Sequence, residues 1–414
     1  MQKSATIFSF IHLSIIQGTN VLLQLFLIPI ILRKVGLAEF GLIMLASSYA
    51  ALISILVNFG SNQTGVKDIA LYKDSPGELS KTFYSIYYSR LVFLIVSLVL
   101  LYLISYFFLP TNTLLHFLFA GLIIVSELFN PFFFFVGLQK LLIYNLINLF
   151  SKLISVVLIL VVIKSPTDSL YVNLIIGGSQ TLGFLGLFIY LIRKYALYNF
   201  RLPIQFIGQY IRKNMYLTGN NLSVQLQQSV FLLSLSALGN ASLLGAYSLC
   251  DKLVWSARMV IISFFNAIFP KAVVLNKENP EKWKALKKKL NWGIAALFSM
   301  AALVLYFFAD LIVVLIVGHE DALSARFIQS ISIVPFIIGL NVLNVADLLL
   351  HNQYRSIFTI SLILLGIAFV LTWIFMYLGK TELYGFYPLF AEIGSIPLYL
   401  YFIKRISASE RTTT

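Results

Sequence analysis

Charged residues are scarce in this 414-residue chain, and the residues of redox and metal chemistry are scarcer still. Only 11% of the residues are Asp, Glu, Lys or Arg, whereas a soluble globular protein carries about 25%. The single cysteine, Cys250, excludes an internal disulfide, and the four scattered histidines form no pair at metal-ligand spacing. No glycine-rich phosphate loop occurs. The sequence therefore predicts no metal, no cofactor and no ATP site.

Apolar residues dominate instead: 59% of the chain is hydrophobic, 15% is aromatic, and the mean hydropathy is +0.90. Apolar runs of about 20 residues, long enough to cross a hydrocarbon core of about 30 Å, follow one another. The pattern predicts an all-α polytopic membrane protein with about twelve transmembrane helices. These spans are predicted at 8–32, 39–59, 83–109, 113–137, 141–163, 170–192, 214–237, 243–269, 291–317, 327–350, 356–378 and 384–403.

One basic stretch near the middle of the chain divides the predicted spans into two sets of six. This stretch, 193–213, holds five basic and no acidic residues. We predict an N-terminal bundle at 1–192, a cytoplasmic linker at 193–213, a C-terminal bundle at 214–403 and a cytoplasmic tail at 404–414. Two six-helix halves of the same orientation are typical of a parallel repeat around a central cavity.

The distribution of Lys and Arg predicts the orientation. The two termini and the even-numbered connections hold 21 of them, and the odd-numbered connections hold five. By the positive-inside rule both termini lie in the cytoplasm. The net charge of +14 thus reflects topology and does not indicate nucleic-acid binding.

One cytoplasmic segment, 281–290, combines an apolar face with a run of lysines. Its residues Trp283, Leu286 and Leu290 recur at i, i+3 and i+7, and five lysines cover the remainder. This pattern predicts an interfacial helix lying on anionic membrane lipids.

Seven charged residues fall well inside the predicted spans. A charge at the bilayer centre costs about 2.5 to 3.5 kcal/mol, so seven charges facing lipid would cost on the order of 20 kcal/mol. The seven must face one another or a water-filled cavity. They are Arg90, Glu127, Lys152, Asp251, Lys252, Arg258 and Glu392.

These residues suggest two kinds of function. Cations beside an aromatic ring could bind an anionic substrate, and a buried carboxyl could couple transport to an ion gradient. The predicted substrate-binding residues are Arg90, Lys152, Lys252, Trp255 and Arg258, and the predicted ion-coupling residues are Glu127, Asp251 and Glu392. The alternative is that the charges pair between helices and only hold the bundle together.

The run 36–70, GLAEFGLIMLASSYAALISILVNFGSNQTGVKDIA, resembles the second-helix signature of Wzx-type polysaccharide flippases. In that signature a G-x-x-x-(Y/F)-G start leads to an F-G pair and then to a K/R-D-I-A exit. Arg90 resembles the arginine that follows the signature in those proteins. Where relatives often have an acidic residue before the F-G pair, this chain has Asn58, so no titrating role carries over to it.

The resemblance implies a member of the multidrug/oligosaccharidyl-lipid/polysaccharide exporter superfamily in the bacterial inner membrane. Such a protein would flip an undecaprenyl-pyrophosphate-linked oligosaccharide, such as an O-antigen repeat unit, to the periplasmic leaflet. It would not be an enzyme, and other polysaccharide-assembly membrane proteins would be its partners.

Two alternatives stay open. The first is a multidrug-type, cation-coupled exporter of the same superfamily. The second is a membrane polymerase or ligase of lipid-linked sugars, against which the short outer loops argue.

Overall fold

The computed structural model describes residues 2–108, 113–197, 204–351 and 353–413, and these residues form helices and turns without a strand. Contacts divide the chain into two compact units, Met1–Gln225 and Leu226–Thr414. The predicted linker, 193–213, includes residues 198–203, which lie outside the described residues. In the predicted tail, 404–414, the side chains from 406 onward also lie outside them. The division between the two units, at Gln225 and Leu226, falls inside the helix Ile204–Leu235.

The N-terminal unit is built from seven helices and the first part of an eighth. They are α1 Gln2–Asn58, α2 Ser61–Tyr72, α3 Pro76–Phe108, α4 Leu114–Phe129, α5 Phe132–Gly137, α6 Leu141–Val162, α7 Leu170–Lys194 and α8 Ile204–Leu235. Helix α1 holds two predicted spans, which are separated at Gly36, where φ is +81°. Only glycine adopts that conformation without strain, so Gly36 divides the two spans.

Close helix contacts and buried polar pairs hold this unit together. Helices α4 and α7 touch at Gly177, where an added Cβ would lie 2.6 Å from the backbone nitrogen of Ile123. Asn173 of α7 is buried, donates to the Ile43 carbonyl at 3.0 Å and accepts from Ser47 at 2.8 Å. Small residues that let backbones approach and side-chain amides that bond across helices are the usual means of packing helices in a membrane.

Lys34, a basic residue at the predicted outer surface, binds the end of α6. Its ammonium donates to the carbonyls of Ile159, Leu160 and Ile163 at 3.3, 2.6 and 2.7 Å. The Ile159 carbonyl also accepts the N–H of Ile163 at 3.1 Å. The last carbonyls of a helix generally lack intrahelical donors, and the C-terminal end of a helix is its negative pole. The charge of Lys34 therefore stabilises that helix terminus.

The C-terminal unit contains the rest of α8 and eight further helices. They are α9 Ala241–Glu278, α10 Pro280–Phe307, α11 Ala309–Val317, α12 Ala322–Ile331, α13 Val334–Leu350, α14 Tyr354–Leu378, α15 Tyr387–Ile393 and α16 Ser395–Thr413. Aromatic rings fill part of its core. Phe231 stacks on Tyr387 with the ring centroids 4.2 Å apart, and the Phe375 ring meets Phe231 edge-on.

The segment 281–290, predicted as an interfacial helix, is instead the first part of the long helix α10. Trp283 is only 3% exposed and packs in a core cluster with Leu343 and Ala346. Its indole donates to Asp347 at 3.0 Å, and Lys287 pairs with the other oxygen of that carboxylate. The prediction was wrong because an apolar helix face is the same whether lipid or another helix covers it.

Nine helical stretches in the described part of the chain are long and apolar enough to cross a membrane. Each of the twelve predicted spans coincides mainly with helical residues within the described part of the chain. Predicted spans 8–32, 214–237 and 243–269 are not among these nine. The first and the last of the three include residues whose side chains lie outside the described part, and 214–237 carries amides that lower its hydropathy.

Candidate functional site

A small cleft of about 50 Å³ lies within the C-terminal unit, between α8, α9 and α15. Its lining combines amides, aromatic rings and charged groups with only a few aliphatic side chains. The lining residues are Gln227, Gln228, Tyr247, Asp251, Val254, Trp255, Arg258, Tyr387, Pro388, Ala391 and Glu392. Polar groups that converge in a concave site are typical of small-molecule binding.

Helix α9 contributes the largest part of this lining. Asp251, Trp255 and Arg258 follow one another at i, i+4 and i+7, so one helix face carries all three. Tyr247 lies one turn earlier on the same face. The structure thus brings together three of the residues singled out in the sequence, and it adds Glu392 from a distant part of the chain.

Arg258 and Glu392 form an ion pair across the cleft. A guanidinium nitrogen of Arg258 lies 2.6 Å from Oε1 of Glu392, and the two side chains are 27% and 13% exposed. The short helix α15 carries Glu392 and begins next to Pro388, in its first turn, where proline fits. A charge-assisted hydrogen bond at this distance fixes the guanidinium while leaving part of it accessible.

Among the described residues, Asp251 and Lys252 differ from this pair in having no hydrogen-bond or ion-pair partner for their side-chain charges. Within the described part of the chain, no hydrogen bond or ion pair engages the Asp251 carboxylate or the Lys252 ammonium. Asp251 lines the cleft, whereas Lys252, the next residue on the helix, is not part of its lining. The cleft therefore contains one unpaired carboxylate beside one ion pair.

The N-terminal unit encloses Arg90 in a hydrogen-bonded cluster. The guanidinium is fully buried, donates to the carbonyls of Glu127 and Asn130 at 3.0 and 2.6 Å, and donates to the Ser61 hydroxyl at 3.1 and 2.5 Å. It also lies 5.0 Å from the centre of the Phe133 ring. This geometry favours the structural alternative for Arg90.

A helix break explains why a guanidinium is needed there. Helix α4 ends at Phe129 and α5 begins at Phe132, with Pro131 between them. Proline has no N–H group, so the Glu127 carbonyl, four residues earlier, has lost its usual helical donor. Arg90 supplies that donor from α3 and bonds the neighbouring Asn130 carbonyl as well.

The Glu127 carboxylate is bound by two amides. Asn58 donates to its Oε1 at 2.6 Å, and Asn130 donates to its Oε2 at 2.9 Å. The orientation of each amide is fixed by its own oxygen, which accepts from the backbone N–H of Asn62 or Phe132. Both carboxylate oxygens therefore accept a hydrogen bond from a side-chain amide.

Lys152 stands apart from both clusters. It is half-buried on α6, and within the described residues no acceptor bonds its ammonium. The structure does not bring Lys152 together with the other predicted cations.

Sequence reasoning missed several residues of these sites. Two of them, Asn58 and Asn130, hydrogen-bond the Glu127 carboxylate. Both are uncharged, and an uncharged polar residue inside a span does not by itself indicate a site. The Asn130–Pro131 dipeptide is a turn signal and could have indicated the helix break. Gln227, Gln228 and Tyr387 of the cleft gave no such signal. Among the residues that the structure describes, no group of three or more metal-binding side chains occurs.

Known proteins with similar sequences are described in terms of polysaccharide biosynthesis and O-antigen transport. Residues 9–274 match the family described as "Polysaccharide biosynthesis protein". A protein of Escherichia coli (strain K12) named "Putative O-antigen transporter" is 20% identical over 376 residues, which cover 89% of this chain and 90% of the relative. One of Shigella dysenteriae with the same name is 23% identical over 334 residues, or 80% and 82% of the two chains. These matches confirm the resemblance to Wzx-type flippases.

Two solved structures have a similar fold. An inward-facing multidrug transporter of the MATE family and the MOP superfamily superposes with a TM-score of 0.74 at 12% identity, covering 97% of this chain and all of that one. The lipid II flippase MurJ in an inward closed conformation gives 0.75 at 14% identity, covering 94% and 87%. The all-helical, polytopic membrane fold predicted from the sequence is thereby confirmed.

Proposed function

We propose that this chain, which belongs to the polysaccharide biosynthesis protein family, flips a saccharide linked to undecaprenyl pyrophosphate across the bacterial inner membrane. Movement would run from the cytoplasmic to the periplasmic leaflet by alternating access and would be driven by an ion gradient. The substrate would be an O-antigen repeat unit or a similar oligosaccharide, and no covalent bond would be made or broken. The observation that carries the proposal is the Arg258–Glu392 pair in an aromatic cleft.

Arg258 would recognise the pyrophosphate. A guanidinium binds phosphate oxygens through two parallel hydrogen bonds, a geometry that an ammonium cannot reproduce. In the structure Glu392 occupies one edge of Arg258 and holds it in position. An arriving pyrophosphate would compete with that carboxylate, so binding would exchange one ion pair for another.

The other cleft residues suit a sugar. Trp255, Tyr247 and Tyr387 present rings on which the apolar face of a pyranose can stack. Gln227 and Gln228 offer amides that can donate to and accept from sugar hydroxyls. Such contacts would orient the saccharide while Arg258 bears the charge.

Ion coupling would lie at Asp251. Of the three predicted coupling residues, Glu392 is paired with Arg258 and Glu127 accepts from two amides. Asp251 is the one whose carboxylate has no partner in the described part of the chain, so a proton or cation can bind it without breaking a bond. Its place in the same cleft as Arg258 would link ion binding to substrate binding.

We also propose that both termini lie in the cytoplasm, because basic residues are concentrated in the connections on that side. Reporter fusions after Lys213 and Lys289 should report cytoplasm, and fusions at Lys164 and His319 should report periplasm. A periplasmic signal at Lys213 would refute the orientation.

The test uses vesicles that contain the purified protein and an undecaprenyl-pyrophosphate-linked oligosaccharide. Flipping is measured by the fraction of sugar that becomes accessible to a lectin on the opposite face. Wild-type protein should respond to an imposed pH or sodium gradient, and Asp251→Asn should flip without that response. An intact response in Asp251→Asn would remove this carboxylate from the coupling step.

A second candidate, export of a cationic compound, has one observation in its favour. The cleft contains two carboxylates and one guanidinium, so its formal charge suits a cation. The same vesicles loaded with a cationic dye decide between the two functions. Dye efflux without oligosaccharide flipping would replace the proposed substrate with a cationic one.

A further inference from the structure

A groove of about 440 Å³ runs between α9 and α10, away from the cleft described above. Its lining is apolar except at one end. From α9 it includes Val260 and Phe264, and from α10 it includes Leu290 and Leu297. The only charged group in this lining is Lys289.

The groove follows one face of α10. Its lining residues on that helix extend from Leu286 to Phe298 at helical spacing, a length of about 18 Å at 1.5 Å per residue. One leaflet of a bilayer is half of a hydrocarbon core of about 30 Å. A chain that fills the groove therefore has the length of one leaflet.

Lys289 distinguishes the groove from an ordinary lipid-facing surface. Of the neighbouring lysines, Lys284 pairs with Glu281 and Lys287 pairs with Asp347. Within the described residues nothing bonds the ammonium of Lys289, which is exposed at the end of the groove. An unpaired cation at the end of an apolar slot complements an anionic head attached to a hydrocarbon chain.

We infer that this groove binds one anionic phospholipid, with an acyl chain along Leu290, Gly293 and Leu297 and with its phosphate at Lys289. A phospholipid fits better than a long polyprenyl chain because the groove spans one leaflet only. The site lies outside the cleft that contains Arg258, and its test does not depend on which substrate is transported.

Two substitutions test the inference, each with a matched control. Gly293 lines the groove, and a Cβ added there meets only open space, so the Gly293→Phe substitution places its ring in the groove. Gly366 in α14 is equally open, and Gly366→Phe is its control. Lys289→Gln removes the charge, and Lys282→Gln removes an exposed lysine of the same helix that lines no groove.

The full chain, purified in neutral detergent, is titrated with phosphatidylglycerol or phosphatidylcholine and examined by native mass spectrometry. Wild-type protein should retain one phosphatidylglycerol in preference to phosphatidylcholine. Lys289→Gln should weaken retention about fivefold, the change expected for the loss of one lysine near an anionic lipid. Gly293→Phe should abolish retention, and both controls should match the wild type.

Three results would overturn the assignment. They are equal retention of the two phospholipids, wild-type retention by Lys289→Gln, and preferential capture of polyprenyl phosphate over phosphatidylglycerol. Melting temperatures are compared first, and if Gly293→Phe lowers the melting temperature, Lys289→Gln decides the question alone.

Discussion

The two units use the same pair of residue types, an arginine and a glutamate, in opposite ways. In the N-terminal unit the Arg90 guanidinium donates to hydroxyl and carbonyl groups, and the Glu127 carboxylate accepts from two asparagines. In the C-terminal unit Arg258 and Glu392 bind each other at the edge of a cleft. A charged group that is fully bonded to fixed protein groups stabilises the fold. A charged group with one exchangeable partner can instead bind a ligand.

The largest expected effect comes from Arg90→Ala. The change leaves the Asn130 carbonyl buried without a donor, at about 1 to 3 kcal/mol. It also leaves the Glu127 carbonyl with only the backbone N–H of Asn130, 3.4 Å away, and the Ser61 hydroxyl without its guanidinium donor. Unfolding in detergent should show a loss of about 3 kcal/mol or more, and the amount of protein in the membrane should fall.

Arg258→Ala is the matched control and should lower stability much less, because its side chain is partly exposed. If Arg90→Ala melted like the wild type and yet failed to transport, Arg90 would return to the list of substrate-binding residues.

Arg258→Gln should affect transport more than stability. Loss of a charge-assisted hydrogen bond to the pyrophosphate, about 1.5 to 3 kcal/mol, predicts a flipping rate roughly ten- to a hundredfold lower. Arg258→Lys keeps the charge without the bidentate geometry and should recover part of the rate. Normal flipping by Arg258→Gln would show that Arg258 does not bind the pyrophosphate.

Glu127→Gln should affect stability more than transport. Because the amides of Asn58 and Asn130 donate to both oxygens of Glu127, a glutamine must turn its own NH₂ group toward one of these donors. The misplaced donor should cost about 2 kcal/mol in unfolding measurements, with the response of flipping to a pH gradient unchanged. In Glu392→Gln the loss of stability should be smaller, since its amide oxygen can still accept from Arg258. A pH response lost in Glu127→Gln but kept in Asp251→Asn would move coupling to the N-terminal unit.

The smallest expected effects separate two tyrosines. Tyr87 donates to the Phe129 carbonyl at 3.3 Å beside the Arg90 cluster, and Tyr387 donates to the Ala368 carbonyl at 3.4 Å beside the cleft. Tyr87→Phe removes one weak hydrogen bond, and Tyr387→Phe removes two, because the Tyr387 hydroxyl also accepts from Thr372 at 3.4 Å. Each lost bond should cost about 0.5 to 1 kcal/mol of stability. Flipping should fall only in Tyr387→Phe, and equal flipping by both variants would argue that Tyr387 does not face the substrate.

Apolar length and basic residues in the connections were enough to predict the helices, because both signals are local. Partners from distant parts of the chain were not predictable. The sequence around Lys34 does not indicate that this residue binds the end of α6. The sequence around Arg90 does not indicate that Pro131 leaves the Glu127 carbonyl without its helical donor. The three residues of α9 in the cleft share one helix face and could be grouped from spacing, whereas Glu392 is joined to them only by the fold. The segment 281–290 failed for the same reason, since its partner Asp347 is far away in sequence.

The contacts of α10 also determine where the C-terminal unit can bend. Trp283 and Lys287 clamp the start of this helix to Asp347 on α13, and α10 then continues without interruption to Phe307. We expect α10 and α13, joined in this way, to move as one rigid body. Hinges belong at their ends, such as the extended residue Asn279 that separates α10 from α9, so a tilt of α13 would be transmitted along α10 as a rigid-body motion.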